Sequence, residues 1–278
     1  MSKPIVAILY DFDATLATSD MQNFSFIPSL GLTADEFWHK CKEFSVETGC
    51  EKTLGYLHTM IAECKKRGIK MTRFFLNEQG KKIKFWPGVE EWFERINKFG
   101  EENGVEVEHY LVSSGNKEIV EGCSIYKYFK MVYGCEFIFD ENDEPIWPKL
   151  VINYTQKTQY FYRVSKGAFD INDDVGVNEK NRNRRVPYSN IVYIGDGLTD
   201  IPAMILAKNN GGHSIAVYPE GKEGKIVDDL YHDGRVNYVA PADYREGKEL
   251  DEIMRLIIKG VSINESLKQR GNMNQENK

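Results

Sequence analysis

The chain has 278 residues, of which 41% are hydrophobic and 28% are charged, and its formal net charge is -6 at pH 7. A chain of this length can bury a sizeable core, either in one large domain or in one domain with a smaller companion. The acidic balance argues against a nucleic-acid partner, and the lack of an apolar run of ~18 residues argues against a membrane span.

The N-terminal stretch "MSKPIVAILYDFD" contains a short apolar run that leads directly into acidic residues. It lacks the small-residue cleavage site of a secretory signal, so we expect a first strand here. The cysteines are odd in number and scattered, without a CxxC pair: Cys41, Cys50, Cys64, Cys123 and Cys135. This usage favours reduced thiols and a cytoplasmic location over a disulfide framework or a zinc site.

Short apolar runs, several of them rich in β-branched residues, predict strands buried on both faces of a parallel sheet. In chain order they cover 5–10, 109–115, 190–197, 213–221 and 236–241. Helical patterns lie between and after them, over 88–104, 200–212 and 249–261. This alternation predicts an α/β fold with a doubly wound, mostly parallel sheet. Such sheets bind ligands beyond the carboxyl ends of their strands.

Three segments depart from this alternation. Residues 16–85 are rich in helical pattern and far exceed the ~2–6 residues of a usual βα connection, so we expect an inserted helical domain. Residues 168–189 are polar and Asn-rich, which predicts a long surface loop. Residues 266–278 are expected to form a frayed tail.

Acidic and hydroxyl side chains follow three of the predicted strands. Asp11 and Asp13 end the first strand, Asp196 and Asp200 flank a Gly-rich turn after another, and Ser113 ends "YLVS". A strand-end carboxylate can attack phosphorus, and a cation must then offset the repulsion between two anions. Oxygen ligands together with phosphate select Mg²⁺. The pattern therefore predicts a magnesium-dependent site for phosphoryl chemistry.

These motifs resemble those of the haloacid dehalogenase (HAD) superfamily. "DFDAT" is similar to its first motif, DxDx[TV], "LVSSG" to its second, and "GDGLTD" to its fourth, GDGxxD. Residues 133–151 resemble the hairpin that follows the second motif in the phosphoserine-phosphatase-like branch. The resemblance implies an α/β catalytic core over 1–15 and 86–265, with a helical cap domain over 16–85 that selects the substrate.

The resemblance also implies roles for individual acids. Asp11 would be the nucleophile and a Mg²⁺ ligand, and Asp13 would be the general acid/base, with its backbone carbonyl on the metal. Asp196 would be a further metal ligand, and Asp200 would belong to the same metal site as a carboxylate that orients it. An aspartate at position 13 favours phosphatases and phosphomutases over the dehalogenating members.

The second motif implies a phosphate-binding group made of Ser113, Ser114 and Gly115, while Thr15 supports the loop after the first strand. Ser113 is the residue expected to hold a phosphate oxygen. Ser114 fits a helix-capping or structural hydroxyl as well as a phosphate ligand.

The third motif is a single lysine near the start of the helix that precedes the fourth motif. Lys157 begins the helical pattern "KTQYFYRVSKG", and Lys166 lies near its end. The position at the helix start favours Lys157, with Lys166 as the alternative.

Within the implied cap, aromatic and apolar residues at helical spacing are interpreted as cap core: Phe37, Trp38, Phe44, Tyr56 and Leu57. Arg73 is a candidate contact for an anionic substrate. The basic run "NRNRR" at 181–185 is interpreted as solvated loop.

The sequence therefore predicts a Mg²⁺-dependent phosphatase that acts on a small phosphorylated metabolite through an aspartyl-phosphate. A phosphomutase or other phosphotransferase would use the same core. A non-catalytic binding protein could keep the fold without turnover. A nucleic-acid phosphatase conflicts with the acidic balance, and the sequence predicts no particular oligomeric state.

Overall fold

The computed structural model of the protein describes residues 3–180, 184–221 and 225–276. Within these ranges, seven strands form one sheet. In chain order they are β1 (Ile5–Tyr10), β2 (Glu106–Asn116), β3 (Phe129–Phe139), β4 (Pro145–Leu150), β5 (Ile191–Gly195), β6 (His213–Tyr218) and β7 (Tyr238–Pro241).

The sheet has the order β4-β3-β2-β1-β5-β6-β7. All neighbouring pairs are parallel except β3 and β4, which form an antiparallel pair. The central strand β1 is buried over five of its six residues, as its continuous apolar pattern predicts for a strand covered on both faces. The predicted α/β fold with a mostly parallel sheet is confirmed.

Twelve helices accompany the sheet in the described ranges. They are α1 (Met21–Phe24), α2 (Phe26–Ser29), α3 (Ala34–Thr48), α4 (Lys52–Lys66), α5 (Arg73–Gly80), α6 (Val89–Glu102), α7 (Lys117–Val120), α8 (Lys157–Lys166), α9 (Asp174–Asn178), α10 (Ile201–Asn209), α11 (Lys225–His232) and α12 (Glu249–Glu276). Short 3-10 turns add Tyr126–Tyr128 and Tyr188–Asn190.

Helices cover both faces of the sheet. On one face, the indole nitrogen of Trp92 in α6 donates to the hydroxyl of Tyr10 at 2.8 Å. On the other face, Tyr193 of β5 is the pairing partner of Leu9 in β1. Its hydroxyl donates to Asp200, just before α10, at 2.7 Å. Because successive strand residues point to opposite faces, Tyr10 and Leu9 contact different helical layers.

Helices α1 to α5 occupy the segment between β1 and α6. An isolated antiparallel bridge between Ala17 and Phe85 joins the two ends of this segment. Helix α3 starts at a capping box between Thr33 and Glu36, and it ends at Gly49 in a left-handed conformation. The helical content agrees with the sequence pattern, and the assignment of 16–85 as a separate cap domain stays a prediction.

The loop predicted over 168–189 contains the short helix α9, which begins after the capping residue Asp173. Its first part is held by Arg163 in α8, whose guanidinium donates to the carbonyls of Asp170 and Ile171 at 2.5 and 2.8 Å. These hydrogen bonds give the segment more local structure than its polar composition indicates.

Within the basic run at 181–185, the structure describes Arg184 and Arg185. Arg185 forms an ion pair with Glu108, a buried carboxylate near the start of β2. The expectation of a solvated loop is therefore wrong for Arg185, because a buried acid from a distant strand provides its partner. Residues 181–183 lie outside the described residues. Arg185 thus contacts the sheet near the amino end of β2, away from the carboxyl ends of the parallel strands.

The end of the chain also differs from a simple coil. Helix α12 extends through most of the segment predicted as a frayed tail, 266–278, with helix assigned as far as Glu276. All five cysteines are free thiols. Among the described residues, no helix combines the length and the apolar character needed to cross a bilayer.

Candidate active site

Three neighbouring strands bring the predicted site residues together. Strands β2, β1 and β5 are adjacent and parallel, so their carboxyl ends meet at one edge of the sheet. Asp11 directly follows β1, Asp196 directly follows β5, and Ser113 lies near the end of β2. The Asp11 amide donates to the Ile194 carbonyl at 2.9 Å, which continues the pairing of β1 with β5 and holds Asp11 at this edge.

Lys157, the first residue of α8, bridges two of the acids. Its Nζ lies 2.8 Å from Oδ1 of Asp11 and 2.7 Å from Oδ1 of Asp200, and all three side chains are buried. Burial disfavours the ammonium, but the two carboxylates raise the pKa of Lys157 above its ordinary value. Asp200 also accepts from the Tyr193 hydroxyl at 2.7 Å and from the Gly197 amide at 3.3 Å. Both of its oxygens are therefore engaged, and Asp200 is suited to orienting the lysine.

Asp11, Asp196 and Asp200 have carboxylate oxygens within 4.8 Å of one another. Burial, followed by repulsion from Asp200, raises the pKa of Asp11 to about 7. Burial, followed by repulsion from Asp11, raises the pKa of Asp196 to about 8. Lys157 opposes both rises but does not cancel them. A divalent cation would relieve this repulsion, and carboxylate oxygens are the ligands that Mg²⁺ prefers. The donor set therefore fits Mg²⁺.

The turn after β1 is shaped by contacts from outside it. Ala14 has a φ of 54°, in the left-handed region that non-glycine residues rarely adopt. The indole of Trp86 donates to the Ala14 carbonyl at 3.0 Å, and the Thr15 hydroxyl donates to Oδ1 of Asp196 at 3.3 Å. Thr15 therefore connects the loop to the acidic cluster, as expected for a supporting residue.

Asp13 lies at the other side of this turn. Its Oδ1 accepts from the Met21 amide, at the start of α1, at 2.8 Å. Burial, together with repulsion from Asp20 and Asp11, raises the pKa of Asp13 well above its usual range. The two aspartates of the first motif thus meet different surroundings, since the ion pair with Lys157 belongs to Asp11.

The end of β2 forms a tight turn against the Asp13 loop. The Ser113 hydroxyl accepts from the Gly115 amide at 2.9 Å. A Cβ at Gly115 would lie 2.1 Å from the end of the Met21 side chain and 3.1 Å from Oδ2 of Asp13, so a larger residue here would displace Met21. The Ser114 hydroxyl is buried and has no hydrogen-bond partner among the described residues. Its hydrogen-bonding capacity is therefore unused within the described part of the chain.

The two candidates for the motif lysine have different partners in the structure. Lys166 donates to the carbonyls of Val177 and Glu179 at 2.6 and 2.7 Å, so its ammonium group stabilises the backbone of the 168–189 loop. Lys157 is the candidate that the fold brings into the acidic cluster.

A cavity of about 490 Å³ opens between this edge of the sheet and helices α3 and α4. Its core end includes Asp13, Asp20, Ser114 and Gly115. Its helical wall includes Trp38, Cys41, Lys42, Ser45, Val46, Lys52, Thr53 and Tyr56. The second motif and Asp13 therefore face a space that can hold a small molecule.

No protein-family model matches the sequence. The chain is 27% identical over 275 residues to an uncharacterised protein of Borreliella burgdorferi strain B31, covering 88% of this chain and 94% of that one.

Solved structures are similar to it over most of its length. A HAD family hydrolase from Salmonella enterica serovar Typhi matches with a TM-score of 0.57 at 14% identity, over 92% of this chain and 72% of that one. A probable phosphoserine phosphatase from Vibrio cholerae matches with a TM-score of 0.58 at 13% identity, over 95% and 67%. A phospho-aspartyl intermediate analogue of phosphoserine phosphatase matches with a TM-score of 0.53 at 16% identity, over 91% and 99%. The chain has the HAD fold.

The resemblance inferred from three short motifs is thus confirmed at the level of the fold. Within this HAD fold, two of the aromatic residues interpreted as cap core pack in the hydrophobic core and also reach the cavity. Trp38 and Tyr56 line the cavity, whereas Phe37 and Leu57 are fully buried as expected. Helical spacing could not separate these pairs, because a helix of the insertion faces both its own core and the cavity.

Other cavity residues of this HAD-fold chain had no signal in the sequence. Lys42 and Lys52 look like ordinary surface lysines until the cavity is known. Arg73, the candidate substrate contact, instead pairs with Asp143 at 3.2 Å and is not among the residues that line the cavity.

Proposed function

We propose that this HAD-fold chain is a Mg²⁺-dependent phosphatase that hydrolyses a small phosphorylated metabolite in the cytoplasm through an aspartyl-phosphate on Asp11. The proposal rests on one arrangement: a buried chain of Asp11, Lys157 and Asp200 at the sheet edge, with Asp196 beside it and Asp13 facing a cavity. Phosphoserine phosphatases among the structures of similar fold support it.

In the first half-reaction, a carboxylate oxygen of Asp11 attacks phosphorus as the bond from phosphorus to the leaving oxygen breaks. Asp13 gives its proton to that oxygen, which departs as an alcohol. In the second half-reaction, Asp13 takes a proton from water as the water oxygen attacks phosphorus. The bond between Asp11 and phosphorus then breaks, so inorganic phosphate leaves and both carboxyl groups regain their starting states.

Positive charge decides whether Asp11 can act as a nucleophile, because only its ionised form attacks. The ion pair with Lys157 favours this form, and Asp200 holds Lys157 in place. Asp11 and Asp196, with the backbone carbonyl of Asp13, would hold the metal, and Asp200 would support them through Lys157. Bound Mg²⁺ supplies the further positive charge that keeps Asp11 ionised and offsets its repulsion from phosphate.

The end of β2 would bind the phosphate oxygens that are not transferred. The Ser114 hydroxyl is buried without a partner in the described part of the chain, and Ser114 is among the residues that line the cavity. The Ser113 hydroxyl accepts from Gly115, which leaves its own proton to donate. We assign phosphate binding to Ser113 and Ser114 together, with Gly115 allowing close approach.

The test is release of phosphate from p-nitrophenyl phosphate with Mg²⁺ and with a chelator. The wild type should turn over only with metal. Asp11→Asn should lose at least about 10³-fold in kcat while keeping its circular dichroism and thermal midpoint, since it removes the nucleophile. Asp35→Asn, an exposed aspartate at the start of α3, is the matched control and should retain full activity.

Each rival function has its own outcome. Labelled phosphate that stays on Asp11 until an alcohol acceptor is added would indicate a phosphotransferase instead. If the folded protein neither releases phosphate nor becomes labelled, the catalytic proposal is rejected and a binding protein is favoured.

A further inference from the structure

The cavity beside Asp13 has two ends of different charge. At the core end, Asp13 and Asp20 place two carboxylates near the Ser114 turn. At the helical end, Lys42 near the middle of α3 and Lys52 at the start of α4 contribute two ammonium groups. A ligand that spans the cavity therefore meets negative side chains near the reacting phosphate and positive ones away from it.

The two lysines have no acidic partner in the part of the chain that the structure describes. Their neighbours differ: Lys40 in the same helix as Lys42 pairs with Glu63, and the Glu51 carboxylate beside Lys52 caps α4 by accepting from the Thr53 and Leu54 amides. The reacting phosphate has its own cation in Lys157, buried in the sheet edge. Lys42 and Lys52 are thus left to attract a different anionic group.

The wall between these ends presents rings. Trp38 already donates its indole N–H to Asn23 at 2.9 Å, and Tyr56 donates its hydroxyl to the Ser114 carbonyl at 2.7 Å. Their rings lie 6.2 Å apart in an edge-to-face arrangement. Because the donors of both rings are satisfied within the protein, what they can offer a ligand is mainly hydrocarbon surface. Val46 and Tyr154 add to this surface.

The volume of about 490 Å³ lies within the range of pockets that enclose a drug-sized molecule, roughly 300–1,000 Å³. The cavity is therefore large enough for a ligand with a body beyond the reacting phosphate.

Resting on the proposed phosphatase activity, we infer that the substrate is a phosphate monoester with a flat apolar or aromatic body and a second anionic group. The body packs against Trp38 and Tyr56. The second anion, a carboxylate or another phosphate, binds Lys42 and Lys52. These four residues thus determine specificity, while the acids at the sheet edge determine the reaction.

The charge part is tested with phenyl phosphate and 4-carboxyphenyl phosphate, which differ by one carboxylate. The wild type should show a KM about tenfold lower for the carboxylated ester, since each partly desolvated ion pair contributes up to ~1 kcal/mol. In Lys42→Gln/Lys52→Gln this preference should vanish, so that the KM values of the two esters become equal. Lys66→Gln, an exposed lysine at the other end of α4, is the matched control and should keep the preference.

The apolar part is tested with ethyl phosphate and 2-phenylethyl phosphate, which share an alkoxide leaving group. Burial of the ring should lower KM about tenfold for the second ester. Equal KM values for the two esters would overturn the apolar part. A carboxylate preference that survives in the double lysine variant would overturn the charge part.

Binding separates this inference from the proposed function. Phenylphosphonate and 4-carboxyphenylphosphonate cannot be hydrolysed as esters, so calorimetric titration reads their affinity without turnover. If the wild type hydrolyses nothing yet binds the carboxylated phosphonate about tenfold more tightly, the phosphatase proposal fails and the binding site stands. If p-nitrophenyl phosphate is hydrolysed but the two phosphonates bind equally, the phosphatase stands and the second anion is refuted.

Discussion

Asp11 and Asp13 are two positions apart, but the fold gives them different neighbours. Asp11 contacts the ammonium of Lys157 at 2.8 Å, which favours its ionised form. Asp13 is held by the Met21 amide, and burial with the nearby Asp20 and Asp11 favours its protonated form. Burial raises the pKa of both carboxyl groups, and the direct ion pair with Lys157 opposes that rise at Asp11, which suits Asp11 to the part of the nucleophile and Asp13 to that of the acid.

This division predicts how Asp13→Ala depends on the leaving group. With an alkyl phosphate the leaving alkoxide is strongly basic, so loss of the acid should slow the reaction by on the order of 10²–10⁴. With p-nitrophenyl phosphate the first step needs little acid, and the aspartyl-phosphate should accumulate because no base activates water. Rapid quench with labelled substrate measures this accumulation. Equal slowing of both esters, with no trapped phosphate, would reduce Asp13 to a residue that shapes the loop.

The metal assignment predicts a different phenotype for Asp196→Asn. Its Oδ1 accepts from Thr15, and burial together with repulsion from Asp11 raises its pKa, so a bound cation would favour its ionised form. The variant should need at least about tenfold more Mg²⁺ for half-maximal activity. A Mg²⁺ titration of p-nitrophenyl phosphate hydrolysis checks this, with Asp35→Asn as control. A titration curve that overlays the wild type would remove Asp196 from the metal site.

At the scale of elements, the contact between α5 and α7 joins the helical insertion to the strand end that carries the second motif. Helix α7 follows directly after β2, and the Asn77 side chain of α5 donates to the Glu118 carbonyl at 2.5 Å. The approach is close because Gly80 has no side chain: a Cβ there would lie 2.0 Å from the Ile119 carbonyl oxygen and 2.9 Å from Gly122. Backbone atoms cannot move aside as a flexible side chain can.

Gly80→Ala should therefore lower the free energy of unfolding by about 1–3 kcal/mol, the typical cost of overpacking a close contact. Gly260→Ala in α12 is the matched control, because its Cβ would meet nothing within 4 Å. It should raise stability by roughly 0.5–1 kcal/mol through better helix propensity. Urea denaturation gives both values. If Gly80→Ala is as stable as wild type, α5 and α7 are not closely packed in solution.

At the scale of the whole molecule, stability should depend on pH through the buried Glu118. One of its carboxylate oxygens accepts from the Phe137 amide at 2.9 Å, and the other is buried without a partner in the described residues. Burial raises the pKa of Glu118 from 4.5 to about 7. In the folded protein the group is protonated below that pH, whereas in the unfolded chain it ionises above 4.5. The free energy of unfolding should therefore fall as pH rises from 4.5 to 7 and level off above.

Glu118→Gln should remove this pH dependence. The variant and the wild type should have similar stability at pH 5, where the folded carboxyl is neutral. At pH 8 the variant should be more stable, by up to about 3 kcal/mol at 1.36 kcal/mol for each unit of pKa shift. Urea midpoints across pH 5–8 in one buffer series measure the difference, and shared contributions from other acids cancel. A difference that does not change with pH would show that Glu118 is ionised throughout.

The sheet could be predicted from the sequence because its signals are local. Apolar runs such as 5–10 and 190–197 predict strands wherever they occur, and motifs at their ends place acids at a shared edge once the strands are parallel. Helix starts were predicted for the same reason, since capping and periodicity depend on a few neighbouring residues. The order of the strands was not predicted, because it depends on contacts between distant segments that only the structure gives.

What the sequence determined by itself was thus the α/β class and the set of acids, from Asp11 to Asp200. The sequence favoured Lys157 over Lys166 by its position at the helix start, but only the tertiary structure shows that Lys157 contacts Asp11 and Asp200 while Lys166 contacts the carbonyls of the 168–189 loop. The tertiary structure likewise brought Trp38 to a cavity wall and Arg185 to a buried acid. Periodicity and motifs are properties of neighbouring residues, whereas the partner of a side chain is set by atoms that folding brings from distant parts of the chain.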